Sequence, residues 1–199
     1  MIDRVEFFKT LNEVRKDQIV VVGLGRSARD WYAVTRDETT FYMNSSMGMA
    51  SSFCLGLSLA LPHRRILGIE GDGSIAMNLG SLLTLGANQS CNFLHIIMCN
   101  RMYESSGGQP LVDHKNLDFV KIARGCGIEH AYSFDDLSEL RGEMDRLLAL
   151  STYTLVSLEI EPSARPPAPG ERTVMSQPVE MTYKFLRHIE KIENKEILA

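Results

Sequence analysis

Two oxygen-bearing groups stand at a spacing that one fold can bring together. Gly71-Asp72-Gly73-Ser74 follows directly on an apolar run, Ile66–Ile69, and Asn100 closes the next strong run, Phe93–Cys99, 28 positions beyond Asp72. At the first group the glycines let a backbone approach a phosphate, a helix starting there offers unpaired N–H groups, and Asp72 is a hard oxygen ligand. Asp-Gly is also a common turn, so Asp72 alone decides little. If the two runs are neighbouring parallel strands, however, Asp72 and Asn100 leave the same sheet edge side by side, and a carboxylate and an amide oxygen converge on one cation. The chemistry that fits is a magnesium-bound diphosphate.

Two further stretches border on chemistry. Gly23-Leu-Gly-Arg-Ser-Ala28 follows a strand-like run and has the form of a G-x-G-x-x-A dinucleotide turn. The acid that would hold a ribose is missing from the end of the next strand, which runs into Asn44-Ser45-Ser46. A plain tight strand-to-helix turn therefore explains it better, with Arg26 placed where it can still face a ligand. Asn44-Ser45-Ser46-Met47-Gly48-Met49-Ala50 is a loop entering an Ala/Leu-rich helix, and taken alone Met47 is a packing residue.

The elements that must position these residues alternate. Nearly continuous apolar runs at Gln18–Val22, Ile66–Ile69, Phe93–Cys99 and Thr154–Ile160, with weaker ones at Thr40–Met43 and Glu129–Tyr132, have the pattern of strands buried on both faces. Helical patterns lie around them at Ile2–Arg15, Ala28–Val34, Met49–Leu61, Ile75–Gly86, Asp118–Gly125 and Asp135–Leu150, the last with Ser133 as expected N-cap. This predicts an α/β fold, three layers with a central, mainly parallel sheet of about six strands. Glu161 to Pro169 holds four of the seven prolines and marks an irregular connector, expected over 161–177, before a charged amphipathic helix within 178–199 that packs on the same domain.

At 199 residues and 44% hydrophobic the chain is one ordered domain. A net charge of −4 excludes the basic excess that holds a nucleic-acid backbone. There is no apolar stretch of about 18 residues for a membrane span and no signal peptide, so a cytoplasmic location is expected. Cys54, Cys91, Cys99 and Cys126 have no C-x-x-C spacing, and His63, His95, His114, His130 and His188 have no zinc spacing. His95, inside a strand, is expected to be a satisfied core histidine. Asp135, Asp136, Glu139, Glu143 and Asp145 form the solvated face of one helix. Glu70 adjoins the diphosphate turn, but no spacing argument fixes its role.

The aspartate, the later asparagine and the glycines around them resemble the thiamine-diphosphate motif. Val20 to Asp30, Phe41 to Ser52 and above all Tyr103-Glu-Ser-Ser-Gly-Gly-Gln-Pro110 narrow the likeness to the pyrophosphate-binding (PP) half of phosphonopyruvate and sulfopyruvate decarboxylases, over about residues 1–160. The resemblance implies that Gly71, Asp72, Gly73, Ser74, Asn100, Met102 and Tyr103 bind the cofactor. It makes Asp72, Asn100 and the Met102 carbonyl the Mg²⁺ ligands. It places Met47 beneath the cofactor as the wedge that bends it, with Ser45, Ser46 and Met47 along the aminopyrimidine. Cys99-Asn100 replaces the family's frequent Asn-Asn, and the metal-binding second position is retained. The implied reaction is loss of CO₂ from a 3-substituted pyruvate with release of an aldehyde, the thiazolium acting as electron sink.

The same resemblance shows what is absent. The glutamate that activates the aminopyrimidine belongs to a separate pyrimidine-binding domain, and no room for it remains here. A partner α subunit is expected to supply it in a dimer or larger hetero-oligomer, as where the sulfopyruvate enzyme carries this half as a β subunit. Within this chain the candidates for substrate or proton handling are Ser105, Ser106 and Gln109 on a Gly107-Gly108 loop, His114 on the loop beyond, and Arg26 and Arg101 as partners for an anionic group. The rival readings are a non-catalytic cofactor-binding or regulatory half, and a subunit of another thiamine-dependent carboligase or oxidoreductase. Scattered cysteines argue against the iron–sulfur ligands that the oxidoreductases carry.

Overall fold

Strands form where the apolar runs predict them, and those from the four strong runs are buried on both faces. In the computed structural model, which describes residues 1–89, 91–162 and 178–197, the chain order is α1 (Arg4–Val14), β1 (Ile19–Val22), α2 (Arg26–Thr35), β2 (Phe41–Tyr42), α3 (Ala50–Ala60), β3 (Ile66–Gly71), α4 (Asp72–Ala76), α5 (Ser81–Gly86), β4 (Phe93–Cys99), β5 (Met102–Tyr103), β6 (Gln109–Pro110), α6 (Phe119–Gly125), β7 (Ala131–Phe134), α7 (Leu137–Ala149), β8 (Thr154–Glu159) and α8 (Pro178–Glu193). The main sheet has the order β2-β1-β3-β4-β8-β7, with every pair parallel. Alternate strand residues feed two cores. Val20, Val22, Leu67 and Ile96 meet α1, α2 and α7 on one face, and Ile19, Val21, Ile66 and Ile97 meet α3, α5, α6 and α8 on the other. The result is the expected three-layer α/β/α arrangement.

The chain leaves β1 in opposite directions along the sheet: β2 lies on one side and β3 on the other. The carboxyl ends of β1 and β3 therefore flank a crevice of the kind that holds ligands in open α/β sheets. Gly25, just past β1, has φ 93 and an added Cβ would lie 2.9 Å from Ser105 Oγ, so the first turn is pressed against the loop after β4.

Several local expectations change. The single helix expected over Ile75–Gly86 is two short helices, because Asn78 and Gly80 interrupt it with poor helix formers. The helix expected from Asp135 starts at Leu137 and is capped by Asp136, whose side chain accepts the Glu139 N–H; Ser133 lies inside β7. A two-stranded antiparallel ribbon, β5–β6, went unforeseen. The final helix ends at Glu193, and Phe185 and Ile189 sit in the second core. The connector expected over 161–177 falls, beyond residue 162, outside the described residues, as do 198–199.

The only tryptophan in the sequence, Trp31, is fully buried edge-on to Phe8, and its indole N–H donates to buried Thr40 Oγ1 at 3.0 Å. Thr40→Val keeps the shape and orphans that donor. It should lower the unfolding free energy by about 1–3 kcal/mol, read from denaturant titrations of Trp31 fluorescence.

Candidate active site

β3 and β4 are hydrogen-bonded neighbours with Gly71 opposite Met98, which brings the two sequence groups together. At the end of β4 the backbone turns through a left-handed residue, Arg101 (φ 65), and this aims its N–H at Asp72 Oδ2, 2.6 Å away. Asp72 Oδ1 accepts the Gly73 N–H at 2.8 Å. Burial raises the Asp72 pKa to about 6 against the opposing pull of these two N–H groups and the Arg101 charge, so at neutral pH it stands as a carboxylate. Asn100 is buried beside it, with Oδ1 accepting the Met102 N–H and Nδ2 donating to Glu104.

Met102 has a main-chain carbonyl that would add a third oxygen to this pair. Leu111 N–H donates to the Arg101 carbonyl, and hydrogen-bonded pairs alternate along an antiparallel ribbon. Met102, opposite Pro110, thus takes a non-bonded position with its carbonyl turned away from β6. No group of three His, Cys, Asp or Glu side chains among the described residues is built to hold a metal. The donors at this point are a carboxylate, an amide oxygen and a main-chain carbonyl, a hard-oxygen set that suits Mg²⁺ when a diphosphate completes the shell.

Around this point lies a cavity of about 220 Å³ lined from the turns after β1, β3 and β4. That is below the roughly 300–1,000 Å³ of a typical small-molecule pocket. Gly71, Asp72, Gly73, Ser74, Asn100, Met102, Tyr103, Ser105, Ser106, Arg26 and Met47 all border it. Gly73 is required by contact: a Cβ there would stand 2.8 Å from the Tyr103 ring. Ser45 and Ser46 are exposed and do not line it, and Ser46 holds a left-handed backbone at φ 70.

His114 is also outside the cavity. The loop after β6 is held there by its carbonyl, which accepts from the Arg101 guanidinium. Arg101, expected as an anion partner, is occupied by Glu159 and the Leu117 carbonyl. Gln109 is exposed in β6 and away from the cavity. Arg26 borders the cavity but pairs with Asp30 at 3.0 Å.

Beneath the cavity, Glu70 is fully buried. Its Oε1 lies 2.8 Å from His95 Nε2, and His95 Nδ1 lies 2.9 Å from Tyr153 Oη. Its Oε2 accepts from Ser74 Oγ at 2.7 Å, and that hydroxyl accepts the Gly48 N–H at 2.8 Å. Every group is satisfied when Nε2–H donates to Glu70 and the Tyr153 hydroxyl donates to Nδ1, which is the condition for burying such a set. This chain ties the Met47 loop to the diphosphate turn. His95 is thus a satisfied core histidine, and Glu70 the group that locks the turn to the loop.

Sequence inspection gave no site role to Arg4, Leu24, Ser27, Met98 or Glu104, all of which border the cavity. Leu24 and Ser27 were flagged only as parts of a Gly-rich turn. Arg4 had no local signal, because its partner Glu104 is 100 residues away.

The thiamine pyrophosphate enzyme family, through its C-terminal TPP binding domain, matches residues 24–158. The chain belongs to this family. Among its relatives are sulfopyruvate decarboxylase subunit beta of Methanococcus maripaludis, 32% identical over 189 residues and covering 94% of this chain and 98% of that one. Phosphonopyruvate decarboxylase of Streptomyces viridochromogenes is 34% identical over 156 residues, covering 78% of this chain, which spans only 39% of that protein. A solved thiamine diphosphate-dependent 4-hydroxybenzoylformate decarboxylase from Rhodococcus jostii superposes with a TM-score of 0.68 at 20% identity, over 82% of this chain and 33% of that one, and shares the fold. Among the described residues no helix is long and apolar enough to cross a membrane.

Ser74→Ala removes the hydroxyl that joins Glu70 to Gly48. It should lower stability by about 1–3 kcal/mol and speed proteolysis within residues 44–48, measured by denaturant titration and timed digestion.

Proposed function

We propose that the chain is the thiamine-diphosphate- and Mg²⁺-binding subunit of a decarboxylase for a 3-substituted pyruvate, of sulfopyruvate or phosphonopyruvate type, completed by a separate pyrimidine-binding subunit. The observation that carries this is that Asp72 and Asn100 lie side by side at the carboxyl edge of the sheet, with Met102 next to them, on a cavity lined from the turns after β1, β3 and β4. When bound, the thiazolium supplies the electron sink for cleavage of the carboxylate carbon.

The protein's part is position, charge and dryness. Asp72, Asn100 and Met102 hold the cation, while the Gly71–Ser74 turn lies against the diphosphate. Met47, tethered through Gly48 to Ser74, forms the wedge under the rings. The Ser105 and Ser106 hydroxyls at the rim are placed to hold or pass the proton that the product acquires. Arg26, on the same rim, faces the sulfonate or phosphonate of the substrate, a group that guanidinium recognises well.

Among the described residues the carboxylates lining the cavity are Asp72 and Glu104. The first is a metal ligand, and the second is bonded to Arg4 and Asn100. On this reading the carboxylate for the aminopyrimidine comes from a partner.

A second observation supports a partner. Residues 43–62 contain no charged side chain and residues 71–92 only Asp72, in a chain that is 23% charged. These segments form α3, α4 and α5, which leave Met49, Leu59, Met77 and Leu83 exposed, Leu83 by 63%. Asn78 joins the loops at Gly48 and Met49, so the charge-free surface begins at the cavity rim. Apolar surface of this kind marks a protein interface. The four cysteines are free thiols, in keeping with a cytosolic assembly.

The chain alone should release no CO₂ from sulfopyruvate or phosphonopyruvate, and mixing it with a pyrimidine-domain subunit should restore turnover; ordinary enzyme rates from the chain alone would defeat the two-subunit reading. Leu83→Glu should weaken that pairing in gel filtration. Asp72→Ala should weaken Mg²⁺-dependent thiamine diphosphate binding by at least about 100-fold, more than the loss of an outer-sphere partner. Its circular dichroism should be unchanged, because a ligand and not core volume is removed. Full affinity in that variant would mean that Asp72 is no ligand.

A further inference from the structure

An asparagine ligand has a weakness that a carboxylate ligand lacks: one end of its side chain is an oxygen and the other an NH₂ that repels a cation. Something must fix which end faces the metal. In this chain both ends of the Asn100 amide meet partners of one polarity. On one side stands the Met102 N–H, a donor, 3.1 Å from Oδ1. On the other stands Glu104, whose Oε2 takes the Nδ2 hydrogen at 3.1 Å. An ionised carboxylate only accepts, so a flipped amide would set oxygen against oxygen at Glu104 and N–H against N–H at Met102.

Glu104 is itself held from outside the site. Its Oε2 also accepts from Arg4 Nη2 at 2.7 Å, and the other nitrogen, Arg4 Nη1, reaches Asp30 on α2 at 3.2 Å. Arg4 is 5% exposed and begins α1, on the opposite face of the sheet from α4 and α5. The first helix thus pins the 3₁₀ turn Glu104–Ser106, and that turn pins the amide.

We infer that Glu104, clamped by Arg4, is a positioning residue that orients the Asn100 amide with its oxygen toward the cation. This rests on the reading of Asp72 and Asn100 as cation ligands. The test is a double-mutant cycle read as Mg²⁺ affinity in the presence of thiamine diphosphate, by calorimetry on the full chain together with its partner subunit. Glu104→Leu in the parent should weaken Mg²⁺ by about tenfold or more, the scale of a lost hydrogen bond to a charged group. Glu104→Gln, whose carbonyl still accepts from Asn100, should stay within about threefold of the parent.

The deciding arm is Asn100→Asp. A carboxylate has oxygen at both ends and needs no orientation, and Glu104 beside it is then a repelling neighbour. In that background Glu104→Leu should leave Mg²⁺ affinity unchanged or tighten it. An equal loss in both backgrounds would show that Glu104 only supports the fold, and no loss in either would show that it does nothing for the metal; both overturn the inference. A parent assembly that binds no Mg²⁺ with the cofactor overturns the underlying reading and this inference with it, whereas normal parent binding with a failed cycle overturns this inference alone.

Discussion

The site depends on a carboxylate that never meets solvent. Glu70 lies at the end of β3 and joins β4 through His95, β8 through the Tyr153 hydroxyl that precedes it, and α4 through Ser74. An uncompensated charge at such depth is strongly unfavourable, so each partner must be in place before the others are worth forming. The consequence is cooperative: the strand ends, the diphosphate turn and the Met47 loop are fixed as one unit. A site that must hold a cation within tenths of an ångström needs this kind of support, because loops without it would wander.

Above that floor the wall is built by turns that run against local backbone preference. Arg101 and Ser46 both adopt positive φ without being glycine, and each is next in sequence to a residue that lines the cavity, Asn100 and Met102 for the first and Met47 for the second. At Arg101 the strain has a visible return, since the turn directs an N–H at Asp72 and frees the guanidinium to bind Glu159. Strained backbone persists where surrounding structure over-determines it, and here that structure includes the loop carbonyls of His114 and Leu117 on the same guanidinium.

The fold and the adjacency of Asp72 and Asn100 were legible because they follow from periodic signals: apolar runs of Ile, Val and Leu give the strands, and the two residues inherit adjacency from strand order. What escaped depends on pairings that carry no local mark. Arg101 looks like a free cation until Glu159, 58 residues on, is placed beside it. Arg4 looks like the polar start of an amphipathic helix. Ser133 and Asp136 are both good caps in isolation, and only the length of β7 decides between them. The break at Asn78 and Gly80 was written in the residue types, but the apolar period across it concealed it.

The charge-free surface of α3, α4 and α5 has a consequence for how such a protein is made. Charged side chains keep solitary chains apart in a crowded solution, and α3, α4 and α5 contribute none but the buried Asp72. A copy produced without a companion would find other copies through the same methionines and leucines, so its solubility is tied to the supply of the chain that covers them. On the two-subunit reading proposed above, matched synthesis of the two chains would keep this surface covered, and unpaired copies would be prone to clumping. On that reading the charge-free surface beside the cavity ties the amount of one chain to the amount of the other.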